Sequence, residues 1–329
     1  MPELLPWLRS AVAVALISVL PSAQSPSGTV PRRAEAGHAA TEAAARPIVA
    51  VLGASVSAGF IDPMRRPDGE PNSTVKLAQA IQVLWPEDAI ELRDQSDAML
   101  FLDPMTAGGR QIERTVQMKP ALVVALDFPF WFGYGQFSAA TADKRTAARL
   151  ERQDQCFGFL EQVLAGGPVP ILIGDYPDMH GADPQMLPPG LIPSVEELRT
   201  LNGRLRDWVA KHPTVTLFPL ANFVEEARGA GIAMDFEKAE HRFTPELLMQ
   251  SDRLHASRTG VAVLALRLTA ALRRVLDAKN PLRPRDVTFA ELVERCGATF
   301  EIEDWIDAQA KAPKKEDGAA ERKKQLVPR

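Results

Sequence analysis

The chain has 329 residues, of which 46% are hydrophobic and 24% are charged, and its formal net charge is −4. This length and composition are typical of a globular protein with a full core, so a short disulfide scaffold and a wholly disordered chain are excluded. The 38 basic side chains are outnumbered by 42 acidic ones. Without an overall basic field, nucleic acid is not expected as a partner.

Residues 1–25 have the pattern of a secretory signal peptide. Arg9 precedes the apolar run 10–20, and small, turn-forming residues follow it. The run is shorter than the roughly 20 residues that span a bilayer, so no stable membrane span is expected. We predict cleavage near Ala23 and a secreted or periplasmic protein, with an uncleaved N-terminal anchor as the alternative. Residues 26–47, rich in Ala, Pro and Arg, predict a disordered linker.

Strand and helix patterns alternate over residues 48–282. In chain order they predict strand 48–52, helix 73–84, strand 90–92, helix 108–118, strand 121–126, helix 141–164, strand 169–173, helix 194–211, strand 215–218 and helix 257–277. Because parallel strands need crossover helices, this alternation predicts an α/β fold with a parallel sheet covered on both faces. A helical extension, 283–310, and a charged disordered tail, 311–329, are predicted to follow.

The first predicted strand leads into a glycine-rich block. Ligand sites in open parallel sheets lie beyond the carboxyl ends of the strands, so the block at 53–59 (GASVSAG) is a candidate site. It matches neither the phosphate-binding loop nor the dinucleotide fingerprint, and it also differs from the G-x-S-x-G elbow of α/β-hydrolases. Ser55 is the candidate nucleophile. A plain strand-to-helix turn is the structural alternative.

A histidine and an aspartate stand just before the last predicted helix of the domain, in the block 252–260 (DRLHASRTG). A serine hydroxyl is a weak nucleophile near neutral pH, and it needs a base to remove its proton. His255 is the candidate base, and Asp252, three residues earlier, is the candidate carboxylate that orients the imidazole. The other histidines lack the spacing of a metal site, so neither a metal nor another cofactor is expected.

The two blocks together resemble those of the SGNH hydrolases, also called GDSL esterases or lipases, over residues 48–276. The block 53–59 is similar to the family's G-D-S-x-x-x-G, and the block 252–260 is similar to its D-x-x-H-x-(S/T)-x-x-G. The resemblance implies a flavodoxin-like, three-layer α/β/α sandwich and metal-free hydrolysis of carboxylic esters. It implies Ser55 as nucleophile, His255 as general base and then acid, and Asp252 as the orienting carboxylate. Backbone N–H groups of Ser55 and of Gly108 or Gly109 are the implied oxyanion-hole donors.

The third block departs from the family pattern. After the strand 121–126, the family's G-x-N-D is replaced by Asp127-Phe128-Pro129-Phe130, so the asparagine that donates to the oxyanion has no equivalent. Asp127, Phe130 and Trp131 are possible pocket residues at this strand end. The aromatic run that contains them is equally compatible with a substrate pocket and with core beneath an insertion.

The sequence therefore predicts a secreted or periplasmic serine esterase that acts through an acyl-enzyme on a small-molecule or glycan ester. Acetylated carbohydrate and lipid ester both remain open as substrates, and acyl transfer is a variant of the same chemistry. The alternative is a catalytically impaired SGNH-fold domain that binds carbohydrate or a partner protein. Cys156 and Cys296 are the only cysteines, and the sequence leaves open whether they pair.

Overall fold

The computed structural model describes residues 45–66, 68–137 and 141–311. The predicted signal peptide, nearly all of the predicted linker and all of the predicted tail except Lys311 lie outside the described residues. Within the described residues, no helix is long and apolar enough to cross a membrane. Cys156 and Cys296 are both buried, and neither forms a disulfide.

The centre of the fold is a parallel sheet. Within the described residues its strands are β1 (Ile48–Val51), β2 (Glu91–Asp94), β3 (Leu122–Ala125), β4 (Ile171–Gly174) and β5 (Val215–Phe218). Their order is β2-β1-β3-β4-β5 and every neighbouring pair is parallel. This is the order of flavodoxin-like, doubly wound sheets. The predicted fold class is confirmed, and each predicted strand is found within two residues of its bounds.

Helices connect and follow the strands. They are α1 (Ser55–Ala58), α2 (Leu77–Ile81), α3 (Pro104–Met118), α4 (Phe130–Gly133), α5 (Ala142–Leu164), α6 (Val195–Ala210), α7 (Leu220–Arg228), α8 (Pro245–Leu248), α9 (Arg258–Val275), α10 (Phe289–Cys296) and α11 (Thr299–Lys311). Short 3₁₀ turns occur at Gln82–Leu84, Leu100–Leu102 and Pro189–Leu191. An antiparallel hairpin, β6 (Ile232–Phe236) and β7 (Ala239–Phe243), lies between α7 and α8.

The strand order divides the helices into two layers. The connection from β1 to β2 runs toward one edge of the sheet, whereas the later connections run toward the other edge. Because such crossovers are right-handed, α2 lies on one face and α3, α5 and α6 lie on the opposite face. The helix α9 packs against α2 and α10, which places it in the layer of α2. The sheet is thus buried on both sides.

Two helix boundaries differ from the predictions for local reasons. The helix α3 begins at Pro104 rather than at residue 108, because the Asp103 side chain caps it by accepting a hydrogen bond from the Thr106 N–H at 3.0 Å. In the predicted helix 73–84, residues 73–76 are not helical, and the Ser73 hydroxyl bonds Glu301 instead of capping a helix.

The predicted C-terminal extension packs against the rest of the domain. The helix α10 contacts α9 and α2, and its apolar side chains Phe289, Leu292 and Val293 are buried. The indole N–H of Trp85 donates to the carbonyl of Leu282 at 2.8 Å, where the extension begins. The extension therefore closes the core on the α2 and α9 side.

Candidate active site

The carboxyl ends of β1 and β3 lie side by side at the middle of the sheet. From this point the chain continues to β2 on one side and to β4 on the other. In doubly wound folds, this reversal of strand order opens the crevice that holds the ligand. Ser55 follows β1 and Asp127 follows β3, so both residues lie at the crevice.

Residues 53–59, here called the serine turn, are held by the carboxylate of Asp127. Oδ2 of Asp127 accepts hydrogen bonds from the N–H groups of Val56 at 2.9 Å and Ser57 at 3.2 Å, and Oδ1 accepts from the Ser57 hydroxyl at 2.5 Å. Asp127 is buried, and no described residue forms an ion pair with it. Burial raises the pKa of the Asp127 carboxyl above its ordinary value, although the hydrogen bonds from the turn oppose that shift.

Gly53 allows the carboxylate to approach this closely. A Cβ atom on Gly53 would lie 2.1 Å from Oδ1 of Asp127 and 2.4 Å from the Ser57 hydroxyl oxygen. On its other side, the side-chain amide of Gln111 accepts from the Gly53 N–H at 3.0 Å and donates to the Gly53 carbonyl at 2.9 Å. The position of Ser55 is therefore set by hydrogen bonds from two places, the segment that follows β3 and the helix α3.

Residues 250–257, here called the histidine loop, bring the predicted base and carboxylate together. Nδ1 of His255 lies 2.5 Å from Oδ2 of Asp252, and Oδ1 of Asp252 accepts from the N–H groups of Leu254 at 2.9 Å and His255 at 3.0 Å. Burial raises the pKa of the Asp252 carboxyl, but these hydrogen bonds and the His255 charge outweigh burial and lower it below the ordinary value. An ionised Asp252 places the ring proton on Nδ1, which leaves Nε2 as the proton acceptor.

Arg253 has an unusual backbone conformation. Its φ of 52° lies in the left-handed region, which side-chain-bearing residues rarely adopt. The strain allows Asp252 and His255 to approach within one tight turn, and the guanidinium of Arg253 donates to the carbonyl of Arg228 at 3.0 Å. Backbone strain of this kind is concentrated at functional sites.

Gln250 and its partners hold the histidine loop, and sequence reasoning missed them. The buried Gln250 side chain accepts from the Asp62 N–H at 2.8 Å and donates to the carbonyls of Phe60 at 2.9 Å and Ala256 at 3.1 Å. The Phe60 ring in turn lies 4.8 Å from the His255 ring, measured between centroids. Gln250 thus joins the segment that packs on the imidazole to the loop that carries it.

A second set of contacts extends this network. The Ser251 hydroxyl donates to Oδ2 of Asp62 at 2.7 Å, and the Ser251 N–H donates to the side chain of Asn72 at 3.0 Å. Asn72 also donates to the carbonyl of Met64 at 2.6 Å. These partners are separated by as many as 189 positions, and no local motif marks them.

The serine turn and the histidine loop both contribute residues to one cavity. It has a volume of about 40 Å³ and is lined by Ala54, Ser55, Val56, Asp127, Phe130, Pro177, Met179, Leu220, Phe223, Val224, Met249, Leu254, Ala256 and Leu264. Leu254 and Ala256 flank His255 directly. Nε2 of His255 is buried and has no hydrogen-bond partner among the described residues, so it is not bonded to Ser55. Catalytic hydrogen bonds are often longer in unliganded enzymes than in substrate complexes.

Of the predicted pocket residues, Asp127 and Phe130 line this cavity and Trp131 does not. The Trp131 ring is buried between Phe101 and Phe130, at centroid distances of 5.6 and 5.0 Å. Most of the aromatic run is core.

Gly108 and Gly109, predicted as oxyanion-hole candidates, lie inside α3 and do not line the cavity. A Cβ on Gly108 would lie 2.7 Å from the Phe132 ring, so this glycine allows the close packing of α3 on the aromatic segment.

Asp178 and His180 do not line the cavity of Ser55. Nδ1 of His180 contacts Oδ1 of Asp178 at 2.6 Å, and both side chains are largely exposed. They line a second, more open cleft of about 560 Å³ together with charged side chains of both signs, Arg199, Glu225, Arg228 and Arg253. Because Arg253 belongs to the histidine loop, this cleft adjoins the loop on its outer side.

A scan of family models and a search of curated proteins find no match to this sequence. Among solved structures, the chain is similar to the lipase/acylhydrolase from Enterococcus faecalis, with 14% identity, coverage of 73% of this chain and 100% of that chain, and a TM-score of 0.45. It is also similar to the acetylxylan esterase Axe2 from Geobacillus stearothermophilus, with 15% identity, 73% and 98% coverage, and a TM-score of 0.41.

A third similar structure is the salicylyl-acyltransferase SsfX3 from a tetracycline biosynthetic pathway, with 14% identity, 74% coverage of this chain and 58% of that chain, and a TM-score of 0.40. At sequence identities of 14–15%, these three similarities concern the fold alone.

Proposed function

We propose that this protein is a serine ester hydrolase in which Ser55 is the nucleophile, His255 the general base and acid, and Asp252 the orienting carboxylate. One observation carries the proposal: a buried Asp252–His255 pair lies on a loop whose residues line the same cavity as Ser55. A serine beside an oriented imidazole is the minimal arrangement for nucleophilic acyl transfer.

The reaction proceeds in two steps. The Ser55 oxygen bonds to the ester carbonyl carbon while its proton passes to Nε2 of His255. The carbon–oxygen bond to the alcohol then breaks, and the alcohol leaves with that proton. Water next attacks the acyl-enzyme, gives its proton to His255, and releases the carboxylic acid as Ser55 recovers its hydrogen.

The oxyanion needs donors within the serine turn. The N–H groups of Val56 and Ser57 already donate to Asp127. The Ser55 N–H is not among the donors to that carboxylate, and we assign it to the oxyanion hole. This gives a site with fewer donors than the family pattern implies, and each missing donor lowers kcat by about 10²–10³-fold. The protein is therefore expected to be a slower esterase than one with the full set.

The substrate class is a carboxylic ester, with acetylated carbohydrate and lipid ester as the two forms that the sequence leaves open. A secreted or periplasmic location is part of the proposal and rests on the pattern of residues 1–25.

Hydrolysis of p-nitrophenyl acetate tests the assignment in wild type, Ser55→Ala and Ser57→Ala. The two serines lie in the same turn, but only Ser55 lines the cavity. We expect Ser55→Ala to lower kcat/KM by about 10³-fold or more, whereas Ser57→Ala keeps the nucleophile and lowers kcat/KM much less, through the lost hydrogen bond to Asp127. A fluorophosphonate probe should label wild type and Ser57→Ala but not Ser55→Ala. Equal turnover in wild type and a folded Ser55→Ala protein would exclude Ser55 as nucleophile.

The second candidate function is a carbohydrate- or partner-binding domain without catalysis. It is favoured by the unbonded Nε2 of His255 and by the absence of the family's asparagine after β3. Folded wild-type protein that neither hydrolyses the ester nor reacts with the probe would support this function over the esterase.

A further inference from the structure

The cavity beside Ser55 is almost entirely apolar. Asp127 is the only ionisable residue among those that line it, and both of its carboxylate oxygens already accept hydrogen bonds from the serine turn. A sugar or glycerol hydroxyl placed there would lose its hydrogen bonds to water without gaining replacements, which costs free energy. The cavity therefore suits a hydrocarbon group.

Burial distinguishes the mouth of the cavity from its floor. Ser55, Val56 and Phe130 are partly exposed, so they lie where the cavity opens. Met179 and Leu264 are 1% and 0% exposed, and we assign them to the closed end. A group covalently attached to Ser55 would enter from the mouth and extend toward Leu264.

The volume limits the length of that group. An apolar cavity of about 150 Å³ is large enough to bind benzene, which has six carbons. The cavity beside Ser55 has about a quarter of that volume, about 40 Å³, so it suits a group of fewer carbons. One to three carbons beyond the carbonyl correspond to acetyl, propionyl and butyryl groups.

We propose that this cavity is an acyl pocket that selects esters of short apolar acids, from about two to four carbons, over long-chain fatty esters. The inference rests on the proposed function and specifies its substrate. The acyl group, rather than the alcohol, occupies the cavity because it stays bonded to Ser55 while the alcohol leaves for solvent. Between the two substrate forms left open by the sequence, this favours a short-chain ester such as an acetylated carbohydrate over a long-chain lipid ester.

The test compares p-nitrophenyl acetate, butyrate and octanoate as substrates of the full chain. We expect kcat/KM for octanoate to be at least about tenfold below that for butyrate, since a closed floor rejects the additional methylenes. If wild type hydrolyses octanoate as fast as butyrate and Ser55→Ala hydrolyses neither, the proposal of an acyl pocket is wrong, but the proposal of a Ser55 esterase is supported. No turnover of any ester together with no probe labelling of Ser55 would overturn both.

A matched pair of leucine truncations on α9 locates the floor. Leu264→Ala enlarges the cavity, whereas Leu268→Ala removes an equally buried side chain, one turn further along, that does not line it. We expect Leu264→Ala to raise the octanoate-to-butyrate ratio of kcat/KM at least about tenfold and Leu268→Ala to leave the ratio unchanged. Equal ratios in the two variants would contradict the proposed floor. If Leu264→Ala does not fold, Met179→Ala opens the same end of the cavity and decides the question in the same assay.

Discussion

The serine turn and the histidine loop meet at one cavity, but they are held in different ways. The serine turn is held by the buried carboxylate of Asp127 and by the Gln111 amide on Gly53. The Asp127 carboxylate has no described cationic partner and approaches Gly53 at very close range. The histidine loop is held by amide and hydroxyl groups of Gln250, Asn72 and Ser251, which share their hydrogen bonds with several backbone groups and with the buried carboxylate of Asp62.

The difference shows two ways of fixing a reactive side chain. A buried carboxylate gives a rigid turn at the expense of desolvating a charge, and its strength depends on pH. A network of several amides, hydroxyls and backbone groups spreads the same task over several weaker bonds. The serine turn should therefore be more sensitive to a single added methyl group, and the histidine loop to the loss of one amide.

The largest effect is expected from Gly53→Ala, which tests the close approach in the serine turn. The added methyl would overlap the Asp127 carboxylate and the Ser57 hydroxyl, both of which are fixed by hydrogen bonds. We expect the free energy of unfolding to fall by about 3 kcal/mol, measured by urea denaturation, and esterase activity to fall with it. Gly158→Ala is the control, because its Cβ would meet no atom within 4 Å in α5. Gly158→Ala should raise the free energy of unfolding by about 0.5–1 kcal/mol. If both variants instead lose a similar amount of stability, the close approach of Asp127 to Gly53 is not the cause.

Gln250→Met tests the network in the histidine loop. Methionine retains the length of the side chain but leaves the Asp62 N–H and the carbonyls of Phe60 and Ala256 without their partner. We expect unfolding free energy to fall by about 2 kcal/mol and kcat to fall about tenfold or more with little change in KM, because His255 loses its fixed position. The exposed Gln155→Met on α5 is the control and should change neither quantity.

A spectroscopic readout separates positioning from stability in the Gln250 variant. The short contact between Nδ1 of His255 and Asp252 should give a downfield N–H proton resonance in wild type. In Gln250→Met this resonance should broaden through exchange with solvent. A sharp, unshifted resonance together with an unchanged kcat would show that Gln250 does not position the imidazole.

The smallest effect is expected from Asp127→Asn, which removes the charge but keeps the shape. The raised pKa of Asp127 means that the folded protein holds this proton more tightly than the unfolded chain. Wild type therefore loses stability as pH rises from the unfolded-state pKa, about 3.9, through the folded-state pKa. Asparagine does not titrate, so the stability of the variant relative to wild type should improve between about pH 4 and pH 7. Thermal unfolding of both proteins at both pH values measures this relative stability. A difference in stability between variant and wild type that does not change with pH would contradict a role for the charge.

Much of the fold could be predicted because it depends on local patterns. Short apolar strands alternating with helices predicted the parallel sheet, and the two sequence blocks predicted Ser55 just after β1 and the Asp252–His255 pair just before α9. The helix α7 was missed, although Leu220, Phe223, Val224 and Ala227 have helical spacing. The polar hairpin β6–β7, which follows it, was also missed.

The supporting contacts of the site could not be predicted, because they join distant segments. Asp127 and Ser57 are separated by 70 positions, and Gln250 and Phe60 by 190. Nothing in the sequence around these residues indicates their partners. For Gly108 and Gly109, a sequence pattern indicated a role where the structure shows another. The family resemblance suggested these glycines as oxyanion-hole donors, whereas Gly108 allows α3 to pack closely against Phe132.

The carboxylate of Glu301 in α11 forms contacts near the site that can be made only late in the synthesis of the chain. It accepts hydrogen bonds from the Ser73 hydroxyl and, at 3.5 Å, from the hydroxyl of Thr259, four residues after His255. Translation produces every strand of the sheet before it produces Glu301, and a domain folds as a unit only once its contacting segments are present. On the ribosome, α9, which follows the histidine loop, therefore lacks this contact until Glu301 has been made, and the reactive centre is completed among the last parts of the molecule.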